Sequence, residues 1–355
     1  MVYARSEMLA IRLAVLVVAF HGAGCAKSAH TGSVPRAIRE ESVHVLNGAV
    51  SLAGTLVLPD DSKRHPAVVL FHGSGPQARD LITARWFAKQ GVAALAYDKR
   101  GVGESTGDFR VVPFMDLCGD GLAAIAYLKS RHDIDPARIG VWGLSQGGWL
   151  GPLAASRSND IDFVIAVSGP AVSPGEQMVF YYANELRAEG VPERDVQDAS
   201  ILRRNVWNYL STGNGYDDVK EQMNRARTKS WYAKVKAQQD DLFAPLQLPD
   251  EIRSPDYRYK RWFKEEMIYD PVPALKALRV PALFLFGDED RLVNVNETVA
   301  VLKRVLAESH NRDYTIRVFP HDAHDMHLTT DPDAYTTDPE YLQTMQEWLA
   351  ARLRK

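Results

Sequence analysis

Two kinds of hydrophobic pattern run along the chain. Residues 42–47 and 50–58 alternate apolar and polar side chains on either side of Asn47-Gly48. That alternation around a two-residue turn predicts a hairpin with one covered face. Residues 67–71, 92–97, 138–142, 161–167 and 281–286 are short, largely unbroken apolar runs. Runs of this kind suit strands buried on both faces, and residues 314–319 are read as the last strand. Between them, 81–90, 114–131, 296–308 and 339–353 carry apolar residues at helical spacing. Strands alternating with helices predict an α/β fold: a mostly parallel central sheet with helices on both faces.

The alternation breaks after the fourth of these apolar runs. From 171 to 267 no buried strand is evident, and the segment is rich in Arg, Lys, Asp, Gln, Tyr and Trp. Helical spacing continues over 175–189, 193–209 and 216–237. A structureless loop of this length inside a compact domain is implausible, so a helical cap inserted over the sheet is expected. The predicted organisation is a core in two parts, 42–170 and 268–355, interrupted by the insertion 171–267.

The N-terminus stands apart from this pattern. Arg5 and Arg12 precede an apolar run over 13–20, followed by small residues and Cys25. A charged start, a short apolar stretch and small residues predict a signal peptide over 1–25, too short to span a bilayer. Met8 offers a second possible start. Gly22-Ala23-Gly24-Cys25 resembles a bacterial lipobox, in which the cysteine is lipidated and becomes the new N-terminus; Gly22 departs from the usual leucine-like residue. Ordinary cleavage nearby, after Ala26 for example, is the alternative. The protein is thus expected to be exported, either as a membrane-anchored lipoprotein through Cys25 or as a soluble periplasmic or secreted protein. Residues 26–41, small and polar, read as a tether.

Composition narrows the classes further. The chain has 355 residues, 46% hydrophobic and 25% charged, with a net charge of −3. This is ordinary globular material, long enough for one large domain with an insertion or for two domains. Acids and bases are interspersed, so no basic field is offered to nucleic acid. Two cysteines, Cys25 and Cys118, cannot build a disulfide framework or a zinc cluster. Cys118 shares a helical stripe with Leu122 and Ile125 and reads as a small buried hydrophobe.

The candidate chemistry begins at Gly143-Leu144-Ser145-Gln146-Gly147. A bare Gly-x-Ser-x-Gly often marks only a turn. Here an apolar strand precedes it, and Trp149, Leu150 and Leu153 follow at near-helical spacing. Strand, turn and helix in this order are the context of a nucleophile elbow. Gly143 and Gly147 would let strand and helix approach without a Cβ clash, and the helix N-terminus would favour negative charge near Ser145.

Five motifs then stand in order: His72-Gly73, Asp98-Lys99-Arg100-Gly101-Val102-Gly103-Glu104-Ser105, the segment around Ser145, Gly287-Asp288-Glu289-Asp290, and a final loop carrying His324. Together they resemble the α/β-hydrolase superfamily over roughly residues 45–354. The loop His72-Gly73-Ser74-Gly75-Pro76-Gln77, with Gly147-Gly148, is similar to exported bacterial serine esterases related to the dienelactone hydrolase and prolyl oligopeptidase branches.

The resemblance implies a triad of Ser145 as nucleophile, His324 as base and Asp290 as its orienting acid. Their chain order matches that of the fold. His321 and His327 compete with His324, and Asp288 with Asp290. The oxyanion hole would be built from the backbone N–H groups of Gln146 and Ser74, with Gly75 as rival to Ser74. His72 would brace that loop, and the segment from Asp98 to Ser105 would be structural. Trp207, Tyr209, Trp231, Tyr232 and Trp262 could pack the cap or contact substrate. The expected activity is hydrolysis of small-molecule carboxyl esters through an acyl-enzyme, with no cofactor and no metal. The same chemistry admits a peptidase, amidase or thioesterase. A non-catalytic binding protein would require a damaged triad.

Overall fold

The structure, a computed structural model, describes residues 36–237, 265–330 and 336–353. The expected signal peptide, Cys25 and its lipidation, residues 26–35 of the tether and Trp262 lie outside the described residues.

The unbroken apolar runs become the middle of one sheet. Among the described residues it has eight strands in the order β1-β2-β4-β3-β5-β6-β7-β8. These are β1 (Ile38–Asn47), β2 (Val50–Pro59), β3 (His65–Phe71), β4 (Ala93–Tyr97), β5 (Ile134–Leu144), β6 (Phe163–Val167), β7 (Ala282–Gly287) and β8 (Tyr314–Phe319). The hairpin β1–β2 joins antiparallel to β4, and the pairs from β4 to β8 are parallel.

Strand β1 corrects the tether boundary. Residues 38–41, read as tether, already pair with β2: Ile38 lies opposite Pro59 and Glu41 opposite Leu56. Their polar side chains are held by distant partners. Arg85 bonds Glu40 at 2.6 Å, and Arg39 bonds Asp133 at 2.8 Å. A short polar stretch gives no local sign of strand when its support lies 45 and 94 residues away.

Successive strand residues point to opposite faces, and each apolar run feeds two cores. Ala67, Val69 and Phe71 pack with α2 (Phe114–Lys129), α3 (Gln146–Ala155), α8 (Val272–Ala277) and α9 (Val295–Glu308). Val68 and Leu70 pack with α1 (Leu81–Lys89) and α10 (Pro339–Leu353) on the other side. Cys118 is fully buried in the first core, and burial pushes its thiol up to about 11.

Between β6 and β7 the chain forms α4 (Pro174–Ala188), α5 (Glu193–Thr212), α6 (Tyr216–Ala226) and α7 (Ser230–Ala237). These share a hydrophobic cluster of their own that includes Leu186, Val206, Val219, Met223 and Trp231. The single helix expected over 216–237 is two. At 3.6 residues per turn, a continuous helix would carry Trp231 about 120° away from Val219, off the Val219–Met223–Ala226 stripe. The turn after Ala226, closed by Lys229 N–H to its carbonyl at 2.9 Å, lets Trp231 enter the same cluster.

Candidate active site

Parallel strands bring their carboxyl ends to one edge of a sheet, where such folds place their reactive loops. At this edge β5 runs into Ser145, β3 into His72-Gly73-Ser74-Gly75, β4 into Asp98-Lys99, β7 into Gly287–Asp290 and β8 into the loop bearing His324.

Ser145 has φ 55° and ψ −111°, a region that non-glycine residues rarely occupy. Such a residue costs on the order of 1–3 kcal/mol and persists only where its surroundings fix it. Its N–H bonds the Val167 carbonyl at 2.8 Å, and its own carbonyl accepts from Gly148 N–H at 2.8 Å. The flanking glycines are dictated by backbone contact. A Cβ on Gly143 would lie 2.3 Å from the Gly147 oxygen, and one on Gly147 would lie 2.6 Å from the Phe71 oxygen. Helix α3 begins at Gln146, immediately after the serine.

Asp290 follows β7. Its Oδ1 accepts from the N–H groups of Leu292 and Val293 at 2.8 and 2.9 Å. Its Oδ2 accepts from His324 Nδ1 at 2.8 Å. The aspartate side chain is wholly buried, while the imidazole remains 16% exposed. A carboxylate at Nδ1 places the ring proton there and leaves Nε2 as the basic nitrogen.

The rival residues go elsewhere. His321 is exposed and meets Glu289 at 3.0 Å, and His327 pairs with Asp325. Asp288 accepts from His321 N–H at 2.7 Å, a bond between the loops that follow β7 and β8.

The elbow and the histidine loop are joined through the strand between them. Ser168, just past β6, donates its N–H to the Leu285 carbonyl and directs its Oγ at Met326 Sδ, 4.0 Å away. Among the described residues Ser145 Oγ makes no hydrogen bond. Nucleophile–base contacts commonly tighten only when substrate is bound.

The loop after β3 runs beside Ser145: a Cβ on Gly73 would lie 3.7 Å from that of Ser145. His72 Nε2 donates to the Tyr97 carbonyl at 2.5 Å, with the two rings edge to face. Burial, then the Lys99 charge, pulls its pKa down to about 3, so it stays neutral. The Ser74 carbonyl accepts from Gln77 Nε2 at 3.1 Å.

Asp98, Lys99 and Arg100 are all buried. Asp98 grips Arg79, and Arg100 pairs with Asp120. Ser105 Oγ bonds the Asp98 carbonyl, and these contacts hold the loop together. Lys99 instead reaches across to two neighbouring segments. Its Nζ donates to Gly73 O at 2.8 Å, to Gly75 O at 3.2 Å and to Gln146 Oε1 at 2.6 Å. Gln146 Nε2 in turn donates to Glu266 Oε1 at 2.9 Å.

Lys99 and Glu266 are the site residues that sequence reasoning missed. The only signal was a run of three charged residues directly after a fully apolar strand, where solvated charges are not expected to be buried.

Trp207, Tyr209 and Trp231 are buried in the cluster of the insertion, with Tyr232 packed against it. Among the described residues no three His, Cys, Asp or Glu side chains are grouped to hold a metal ion.

The sequence matches the model of the alpha/beta hydrolase family over residues 68–337. It is similar to the quorum-quenching protein AidA of Acinetobacter baumannii, 26% identical over 255 residues covering 70% of this chain and 78% of that protein. It is also similar to the esterase EstD of Thermotoga maritima, 26% identical over 319 residues covering 87% of this chain and 64% of that one. Among solved structures, the esterase Pf2001 of Pyrococcus furiosus superposes with a TM-score of 0.55 at 17% identity, covering 89% of this chain and 92% of that one. At that identity the likeness speaks for the fold.

Proposed function

The chain belongs to the alpha/beta hydrolase family, and from that premise we propose that it is an exported serine hydrolase that cleaves carboxyl esters. The observation that carries the reading is the 2.8 Å bond from His324 Nδ1 to the buried Asp290, formed on loops at the same sheet edge as Ser145. The similarity to the esterase EstD favours an ester over an amide.

In this reading Ser145 Oγ attacks the ester carbonyl carbon while its proton passes to His324 Nε2. The unprotonated Nε2 follows from the Asp290 contact, which also steadies the imidazolium that forms. The carbonyl oxygen becomes an alkoxide, met by the N–H groups of Gln146 and Ser74. Collapse of this adduct expels the alcohol, which takes the proton from His324. Water then repeats the sequence on the acyl-serine, releasing the acid and restoring Ser145.

The test uses the full chain, p-nitrophenyl acetate and a fluorophosphonate probe. The wild-type protein should turn over the ester and be labelled at Ser145. Ser145→Ala should lose label and about 10⁴-fold or more in kcat. Full activity in Ser145→Ala sinks the reading. On whole cells, a membrane-impermeant form of the probe should reach the protein after osmotic shock; labelling only in lysed cells counts against export.

A further inference from the structure

Lys99 lies in the interior beside the nucleophile, 3% exposed, yet no step above uses it. Burying an ammonium is expensive unless every N–H is met. Here three oxygens meet it: Gly73 O, Gly75 O and Gln146 Oε1. Two belong to the loop after β3 and the third to the first residue of α3. The lysine therefore ties together the two segments expected to supply the oxyanion donors.

We propose that Lys99 is a positioning residue that aims the oxyanion-hole donors, with Gln146 and Glu266 holding it in place. The inference rests on the serine-hydrolase reading above.

The physical argument is the planarity of the peptide. The Gly73 carbonyl and the Ser74 N–H belong to one trans unit and point in opposite directions. An ammonium pulling on the carbonyl fixes the N–H away from itself. The same charge polarises the unit and strengthens the N–H as a donor. On the other side, the Gln146 side chain is pinned at both ends, by Lys99 and by Glu266, which anchors the residue whose N–H is the second donor. Donors aimed before the reaction avoid reorganisation when the alkoxide forms.

The charges facing Lys99 are consistent with a protonated amine. Burial pulls its pKa down to about 8, while the carboxylates of Glu266 and of Asp120 on α2 oppose that fall. His72, from the loop after β3, is neutral. Asp98 and Arg100 flank the lysine on its own loop, each engaged by another partner. The ring of Phe109 sits 5.4 Å from Nζ.

The experiment compares wild type with Lys99→Met, which keeps the length and removes the charge. On p-nitrophenyl acetate, kcat should fall about 10- to 100-fold, the scale of a weakened oxyanion donor, with KM within about twofold. The inhibition constant of phenylboronic acid, whose tetrahedral serine adduct mimics the alkoxide, should rise by the same factor. A folded Lys99→Met with wild-type kcat overturns the proposal. So does a loss confined to KM with boronate affinity unchanged.

If Lys99→Met fails to fold, Glu266→Gln serves. It keeps an oxygen for Gln146 Nε2 and removes only the negative charge. Lys99 should then lose its proton at lower pH, and the alkaline fall of kcat should move down with it; an unmoved limb overturns the proposal. Wild-type protein that resists the fluorophosphonate overturns the hydrolase reading and this inference together. A labelled wild type with an indifferent Lys99 overturns this inference alone.

Discussion

Two of the three hydrogen bonds accepted by Asp290 come from backbone N–H groups and one from His324. That division predicts what an isosteric change would do. In Asp290→Asn the amide oxygen stays with Leu292 and Val293, which can only donate. The NH2 then faces Nδ1, and the imidazole must carry its proton on Nε2. A ring in that tautomer cannot accept from a serine. We expect kcat to drop about 10⁴-fold with KM little altered, measured with a chromogenic ester; a drop below tenfold would contradict this role for Asp290. Much at this scale was legible. The family resemblance put His324 ahead of His321 and His327, and the structure gives that residue the Asp290 carboxylate. Lys99 was not legible, because two of its three acceptors are peptide oxygens, which every residue has. Nothing in residue type marks a carbonyl as a partner. Glu266 was hidden for a related reason: its partner lies 120 residues away.

At the scale of the element, the loop between β8 and α10 buries carboxyls of its own. Asp322 is fully buried, and among the described residues no donor reaches either of its oxygens. Burial, then the neighbouring Asp338 carboxylate, pushes its pKa up to about 7. Asp338 is itself engaged at the start of α10, accepting from Glu340 and Tyr341 N–H. In an unfolded chain an aspartate titrates near pH 3.9. Between about pH 4 and 7 the native state therefore holds a proton that the unfolded state has lost. The contribution of this group to stability falls as pH rises through that window. Asp322→Asn removes the titration, so its melting temperature relative to wild type should climb from pH 4 to pH 8. A difference that is flat or falls over that interval would refute this. The strands and helices themselves were largely readable from period alone. Among the exceptions were residues 38–41, held by Arg85 and Asp133, the break between α6 and α7, set by where Trp231 must go, and the short helix α8, which no periodic run announced.

At the scale of the whole molecule, three hydrophobic clusters among the described residues divide the work. Two lie on opposite faces of the sheet and the third belongs to the insertion. The insertion meets the rest through particular bonds at the loop after β7: Gln177 Nε2 to Leu292 O at 2.7 Å and Asn184 Nδ2 to Arg291 O at 2.9 Å. A cavity in the third cluster should be felt there first. Leu186→Ala, at a position 1% exposed, should cost about 2–5 kcal/mol and speed hydrogen exchange in α4 and α5 while β5 to β7 keep their protection. Equal loss of protection in sheet and insertion would show that they open as one unit.

The exit of the insertion has a practical bearing on redesign. Glu266 closes the chain of contacts that runs through Gln146 to Lys99, and it sits at the very end of the segment an engineer would exchange to retarget the enzyme. If Lys99 positions the oxyanion donors as proposed, a transplant spliced at the visible boundary, after residue 267, would replace Glu266 and confound selectivity with lost turnover. The downstream junction belongs before residue 265, so that the native carboxylate stays with its own scaffold.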